Sequence, residues 1–390
     1  MRTLPHRAIK NKANKNIFER NPKTTILICV VLFFIAVETF GEIIYYYTHQ
    51  HTFIFNKTNF VEFSPYGWVH YKPNSIILLH GYSANLETDQ YGFVHNGYKK
   101  AIDHDQYLIF LVGGSSAEGR GSSSNAATIA ACLERILNLL AGKNRFRVVN
   151  AGMSGFVTYQ ELSLLAGEII PKFRPQMVIA LDGHNDGWCA VTFQEWRPNW
   201  QPYVDQLTRD VNRNMEPGFG ILTDLIKRHS IIAATFEKIG KKVFYRGDKS
   251  FTQKTMPPEV RLESAAAEYI ANQKIIKEVL QLHGGKYHVF LQPFLANYLK
   301  KEIKPRELKF MQDWGAEYNN GDIYYLGMKR FYEILIQQAG SLSFFTDLSK
   351  VFIDTPENTY VDNCHFNDTG NMMIAETIAR QLWPELANIQ

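Results

Sequence analysis

Tyr107-Leu108-Ile109-Phe110-Leu111-Val112-Gly113-Gly114-Ser115-Ser116 is the stretch from which the rest of the chain can be read. Its six leading residues are apolar without interruption and stop at a glycine pair. A half-exposed strand would alternate, so the run predicts a strand buried on both faces. Such a strand, ending in Gly-Gly-Ser, delivers a hydroxyl to the carboxyl edge of a sheet, where ligands gather in open α/β folds.

Working outward, elements of matching kind follow. Asn125 to Leu140 repeats Ala, Ile, Cys and Leu at helical spacing after a serine run able to cap it. Phe146 to Val149 reads as a strand, Thr158 to Ile170 as a helix and Met177 to Leu181 as the next strand. Later come a helix over Ser264 to Leu282, a strand over Tyr287 to Leu291 that ends at Gln292-Pro293, and a terminal helix over Gly370 to Leu382. Alternating strands and helices predict an α/β fold with a parallel sheet covered on both faces.

Four short islands carry the polar residues that such a fold would bring to one edge. They are Val112-Gly113-Gly114-Ser115-Ser116, Asn150-Ala151-Gly152-Met153-Ser154-Gly155, Asp182-Gly183-His184-Asn185-Asp186 and Asp362-Asn363-Cys364-His365. Acyl transfer needs a nucleophile, a base, a carboxylate to orient the base and donors for the developing oxyanion. Each island offers one of these. Ser115 is the candidate nucleophile, with Ser116 as its competitor, and Asp362 lies close enough in sequence to fold back on His365. Gly155 lets a backbone N–H approach an oxyanion closely, and the Asn185 amide can donate to the same atom. His184, Asp182 and Asp186 are read mainly as turn residues, with lining the site as the alternative, and Gln292 and Pro293 as a pocket edge. A phosphate-binding loop is excluded by spelling, since Arg120-Gly121 stands where Lys-Ser/Thr is required. A dinucleotide fingerprint fails because Ser124 replaces its last glycine.

In this order the islands resemble the blocks of the SGNH (GDSL-type) hydrolases, from about Tyr107 to the C-terminus. The first block departs, because the Asp of Gly-Asp-Ser is absent and Gly113-Gly114-Ser115 stands there. The resemblance implies a flavodoxin-like three-layer α/β/α sandwich and a serine ester hydrolase. Ser115, His365 and Asp362 would be its triad, and Ser115, Gly155 and Asn185 its oxyanion hole. It implies no metal or organic cofactor and an ester-bearing substrate, an acylated glycan or a lipid. Two alternatives stay open: an O-acyl (acetyl) transferase acting on a cell-envelope polysaccharide, and a degenerate module that binds or assembles envelope components. Trp188, Trp196 and Trp200 are candidates for stacking sugars and equally for the core.

At 390 residues and 45% hydrophobic content, the chain can bury a large core. Its first 23 residues hold seven Lys and Arg against Glu19 alone, so the remainder carries a net charge of −2 out of an overall +4. With the positive excess confined to a leader, nucleic acid is not an expected partner. Ile26 to Val37 is an apolar run followed by Tyr45-Tyr46-Tyr47. This predicts one N-terminal transmembrane signal-anchor over 24–47, cytoplasmic at its basic end (1–23), with the bulk of the chain periplasmic or extracellular. A cleaved signal peptide and a buried helix are the alternatives. Residues 48–100 read as a juxtamembrane module, 101–390 as the catalytic domain, and about 188–263 as an insertion within it. Cys189 and Cys364 flank two islands closely enough for a disulfide to be considered beside free buried thiols. Sequons occur at Asn56 and Asn367, and a glycan at Asn367 would crowd His365, which favours a compartment without such glycosylation.

Overall fold

A computed structural model describes residues 21–49, 61–64, 66, 68–77, 84–98, 105–202, 230, 257–297, 303–317 and 321–389. The chain divides into two compact units, Met1–Lys57 with Val211–Thr252 and Thr58–Asp210 with Gln253–Gln390. The basic leader up to residue 20, the sequon at Asn56 and most of the insertion lie outside the described residues.

In the first unit, α1 (Pro22–His49) continues past Glu38 and Glu42 through the tyrosines. Its 28 residues span about 42 Å at ~1.5 Å per residue, more than the ~30 Å of a bilayer's hydrocarbon. Ile26, Leu27, Leu32, Phe33 and Phe40 are all more than half exposed. The helix is long and apolar enough to cross a membrane, as a signal sequence also would be.

The second unit is built on a five-stranded parallel sheet. Its strands are β5 (Tyr107–Gly113), β6 (Phe146–Asn150), β7 (Met177–Asp182), β8 (Lys286–Leu291) and β9 (Phe345–Asp347), in spatial order β6-β5-β7-β8-β9. This is the flavodoxin-like order, which reverses direction beside β5 and so opens a crevice at the carboxyl ends of β5 and β7. Side chains alternate strictly across the sheet. Phe110, Val112, Val178, Ala180 and Val289 enter one core, and Ile109, Leu111, Ile179, Leu181 and Phe290 enter the other. Burying each such side chain contributes about 1.5–3 kcal/mol relative to exposure, so both faces must be covered.

Helices supply that cover. α2 (Ser115–Glu118) is a single turn after β5, and α3 (Ile129–Ala141) packs with α9 (Asp368–Leu386) over one face. The other face is covered by α4 (Thr158–Leu164), α5 (His184–Thr192), α6 (Pro258–Leu282) and α8 (Gly321–Ala339). α7 (Pro305–Glu317) precedes α8. Predicted elements recur with shifted ends. The expected helix from Asn125 starts as a 3₁₀ turn (Asn125–Ala127) before α3, and the one over Thr158 to Ile170 passes through a π turn (Leu165–Ile169).

Two short antiparallel pairs precede the sheet, β1 (Val61–Ser64) with β2 (Trp68–Tyr71) and β3 (Ile76–Ile77) with β4 (Leu86–Glu87). Tyr71, Ile77, Leu86, Phe93 and Val94 are buried in the same core as α4 to α6, and Val94 bridges Asn150 at the end of β6. These five residues from the segment ahead of the sheet are therefore part of the sheet's core.

Candidate active site

β5 ends at Gly113, and Ser115 opens α2. As the first residue of a helical turn, Ser115 has an N–H with no carbonyl of its own helix to bond. Its hydroxyl lies 2.6 Å from His365 Nε2. Ser116 is differently placed. Its buried Oγ donates to the Cys364 carbonyl (3.0 Å) and accepts from Gln292 Nε2 (3.3 Å), so it ties the histidine loop to the serine turn. That engagement sets Ser116 apart from Ser115, and it gives Gln292 a structural partner.

His365 is held by a loop that closes on itself. Asp362 Oδ1 accepts the backbone N–H groups of Cys364 and His365, each at 2.8 Å. Its Oδ2 lies 2.6 Å from His365 Nδ1. An ionised carboxylate only accepts, so Nδ1 carries the proton and Nε2 is left to accept from Ser115. The His365 carbonyl accepts from Val361 N (3.0 Å), closing the loop. Asn367 then caps α9, accepting from Gly370 N (2.9 Å) and donating to the Asn358 carbonyl (2.7 Å). This capping role, set by local chemistry, is what the sequon asparagine does in the fold.

The opposite side of Ser115 is assembled from three strand ends. Gly155 sits in the loop after β6 with φ +78°, the left-handed region that favours glycine, and its carbonyl accepts from the buried Gln201 (2.9 Å). Asn185, in the first turn of α5, donates from Nδ2 to the Phe156 carbonyl at 2.7 Å, which joins the ends of β6 and β7. The same nitrogen lies over Gly114, where a Cβ would come within 2.3 Å of it. The missing Asp of the first block thus has a steric counterpart: the Asn185 amide occupies the space a side chain at 114 would need.

Behind Asn185 lies a cluster that the sequence reading did not anticipate. Asp182 is buried at the end of β7, where it accepts from Tyr269 and from Gln273 Nε2 (2.7 Å). Asp186 accepts from Thr158 N (3.2 Å) and Oγ1 (2.7 Å). Neither residue is satisfying a turn. With Glu161, fully buried on α4, they form a group of carboxyls held above the usual range. Burial pushes Glu161 well up, and Asp182 and Asp186 raise it further. Asp186 is pushed up to about 7 by burial and then by Asp182. His184 is lowered to about 4 by burial and then by its neighbour His365, so it is a neutral ring at pH 7; it packs against Phe294 at 5.1 Å.

All four cysteines are free thiols, so the considered Cys189–Cys364 disulfide does not form; both are buried among core side chains. Trp196 and Trp200 are 6% and 7% exposed and belong to the core, which leaves neither as a sugar-stacking face. Among the described residues, Asp362, Cys364 and His365 are the one group whose ligand atoms approach closely enough for a metal, all within 4.8 Å of one another. Asp362 Oδ2 and His365 Nδ1 already bond each other, and burial holds the Cys364 thiol neutral by raising its pKa.

Neither a family model nor a curated protein matches the chain. Among solved structures it is similar to the acetyl xylan esterase AlAXEase, at 12% identity over 70% of this chain and 99% of that one, with a TM-score of 0.38. It is also similar to an acetylxylan esterase from Geobacillus stearothermophilus (16% identity, 71% and 94% covered, TM-score 0.35) and to a protein described as a GDSL-like lipase from Parabacteroides merdae (13%, 72% and 98%, 0.35).

Proposed function

We propose that the chain is a serine ester hydrolase of the SGNH type that removes a small acyl group. The observation that carries this reading is the unbroken relay from Ser115 Oγ to His365 Nε2 and from His365 Nδ1 to Asp362 Oδ2, each step 2.6 Å. Few structural roles call for a hydroxyl, an imidazole and a carboxylate in line at the mouth of a sheet's switch point.

In this reading Ser115 Oγ attacks the ester carbonyl while its proton passes to His365 Nε2. Asp362 holds the ring in the required tautomer and stabilises the imidazolium as it forms. The tetrahedral oxyanion is met by the Ser115 and Gly155 N–H groups and by the Asn185 amide, which is anchored by its bond to the Phe156 carbonyl. His365 returns the proton to the leaving alcohol, and water then repeats the sequence on the acyl-serine to release the acid. The basic leader and α1 support a membrane-anchored protein with the sheet unit on the outer side of the membrane.

The test is turnover of p-nitrophenyl acetate and a long-chain homologue by the detergent-solubilised full-length chain beside Ser115→Ala. Turnover is expected to favour the acetyl ester and to fall to the background rate in Ser115→Ala. A purified, folded Ser115→Ala protein that hydrolyses the ester like the wild type would overturn the assignment.

A further inference from the structure

Glu118, three residues after the serine, is the most unusual buried group near the site that the reaction above does not use. It is 0% exposed. Burying a carboxylate is expensive unless it is hydrogen-bonded, and an apolar side chain of the same volume would fill the space more cheaply. Both oxygens are nevertheless engaged. Tyr71 donates to Oε1 at 2.7 Å, and the Ser154 hydroxyl donates to Oε2.

These bonds converge on one loop. The Glu118 carbonyl accepts from Asn150 Nδ2 (3.0 Å), and Asn150 Oδ1 accepts from Gly152 N (3.0 Å). Gly152 lies so close that a Cβ on it would stand 2.2 Å from Glu118 N. Residues 150–154 are therefore docked on the turn that carries Ser115 by hydrogen bonds at both ends and by backbone packing between. Ser154 is the residue whose carbonyl carbon is bonded to the Gly155 nitrogen. Fixing the Ser154 side chain restrains the peptide plane from which Gly155 would donate to an oxyanion. Tyr71 brings in β2, from the segment ahead of the sheet, and its own carbonyl contacts the His70 ring at 2.7 Å.

We propose that Tyr71, Glu118 and Ser154 form a positioning network that sets the oxyanion loop relative to Ser115, so that the segment before the sheet contributes to transition-state binding. The inference rests on the ester-hydrolase reading. Burial raises the pKa of Glu118, while Arg120, the two hydroxyl bonds and His365 oppose the rise, a balance that suits a carboxylate accepting two donors.

The experiment uses the full-length chain in detergent and compares Tyr71→Phe, Ser154→Ala and Glu118→Gln with the wild type and Ser115→Ala. It reads kcat, KM and affinity for an alkylboronic acid, which adds to the serine hydroxyl as a tetrahedral mimic. Glu118→Gln should lower kcat about 10- to 100-fold and the other two about 5- to 20-fold, with KM within about threefold and boronate affinity falling in step with kcat. Ser154→Thr, which keeps the hydroxyl, should recover most of what Ser154→Ala loses. Folded Tyr71→Phe and Ser154→Ala proteins with wild-type kcat, or a kcat loss that leaves boronate affinity unmoved, overturn the inference alone. If Glu118→Gln does not fold, the other two substitutions decide. A wild type with no Ser115-dependent turnover overturns the hydrolase reading, and this inference with it.

Discussion

In the proposed reaction, the working groups on one side of Ser115 come from a single tight loop; on the other they come from three strand ends. The proton-transfer side needs only Asp362 to His365, where the carboxylate binds two N–H groups of its own loop and the ring between them. The oxyanion side needs β5, β6 and β7 in register, with Asn185 spanning to Phe156 across 29 residues of sequence. Local hydrogen bonds set the internal geometry of the first side, and Ser116 ties it to the serine turn through the Cys364 carbonyl. The second can be no better placed than the packing beneath it, so stability and rate should be coupled there and separable at the loop.

Asp362→Asn is the largest break this comparison offers beyond the serine itself. The amide oxygen still accepts from Cys364 N and His365 N, so the loop should keep its shape. Its NH₂ would face His365 Nδ1 and force the other tautomer, leaving Nε2 protonated and unable to accept from Ser115. A loss of about 10⁴ in kcat is expected, with KM and Tm close to wild type. Steady-state kinetics with a melting curve checks both halves; a loss under tenfold would show that Asp362 does not set the tautomer.

Asn185→Ala should do less to rate and more to stability. Removing one oxyanion donor typically costs about 10²- to 10³-fold in kcat. The Phe156 carbonyl also loses its partner, for a destabilisation of about 1 kcal/mol. Tm and kcat falling together would confirm that this side is built on packing. A kcat within threefold of wild type would remove Asn185 from the oxyanion hole.

The same contrast governs how much of the molecule the sequence discloses. Tyr107 to Val112 announces a doubly buried strand because every residue is apolar, and Asp362-x-x-His365 is legible because both partners are neighbours. β9 was missed: Phe345–Asp347 is three residues long, too short for periodicity to register. α7 and α8 went unassigned although each carries an apolar stripe more marked than that of α6, which was read as a helix. Glu118 and Glu161 gave no local sign of their role, since their partners, Tyr71 and Asp182, lie 47 and 21 positions away in the chain. Asp182 and Asp186 carried a misleading one, because Asp beside Gly and Asn resembles a turn, whereas both point into the core between α4, β7 and α6. A lone acid inside an otherwise small-residue turn, as in Ser115-Ser116-Ala117-Glu118-Gly119, is the one cue that could have raised Glu118 earlier.

The buried carboxyls behind Asn185 offer the mildest test, because they touch the oxyanion side only through its foundation. Asp186 titrates near 7 in the folded chain, against about 3.9 unfolded. Between those values the folded state keeps a proton that the unfolded state has lost. Stability must therefore fall as pH rises from about 4 through about 7 and level off above. Asp186→Asn stays neutral throughout and can still accept from Thr158 through Oδ1. The stability gap in the variant's favour should be about 1–3 kcal/mol wider at pH 8.5 than at pH 5, part of the ~4 kcal/mol that a three-unit shift would give in a rigid site, because some of that loss has already occurred by pH 5. Asp182 and Glu161, also raised, leave some pH dependence in the variant. Melting curves of both proteins at the two pH values decide the matter. A Tm gap of the same size at pH 5 and pH 8.5 would mean that Asp186 does not hold a proton in the fold, and that Asn185 rests on an ionised base rather than a protonated one.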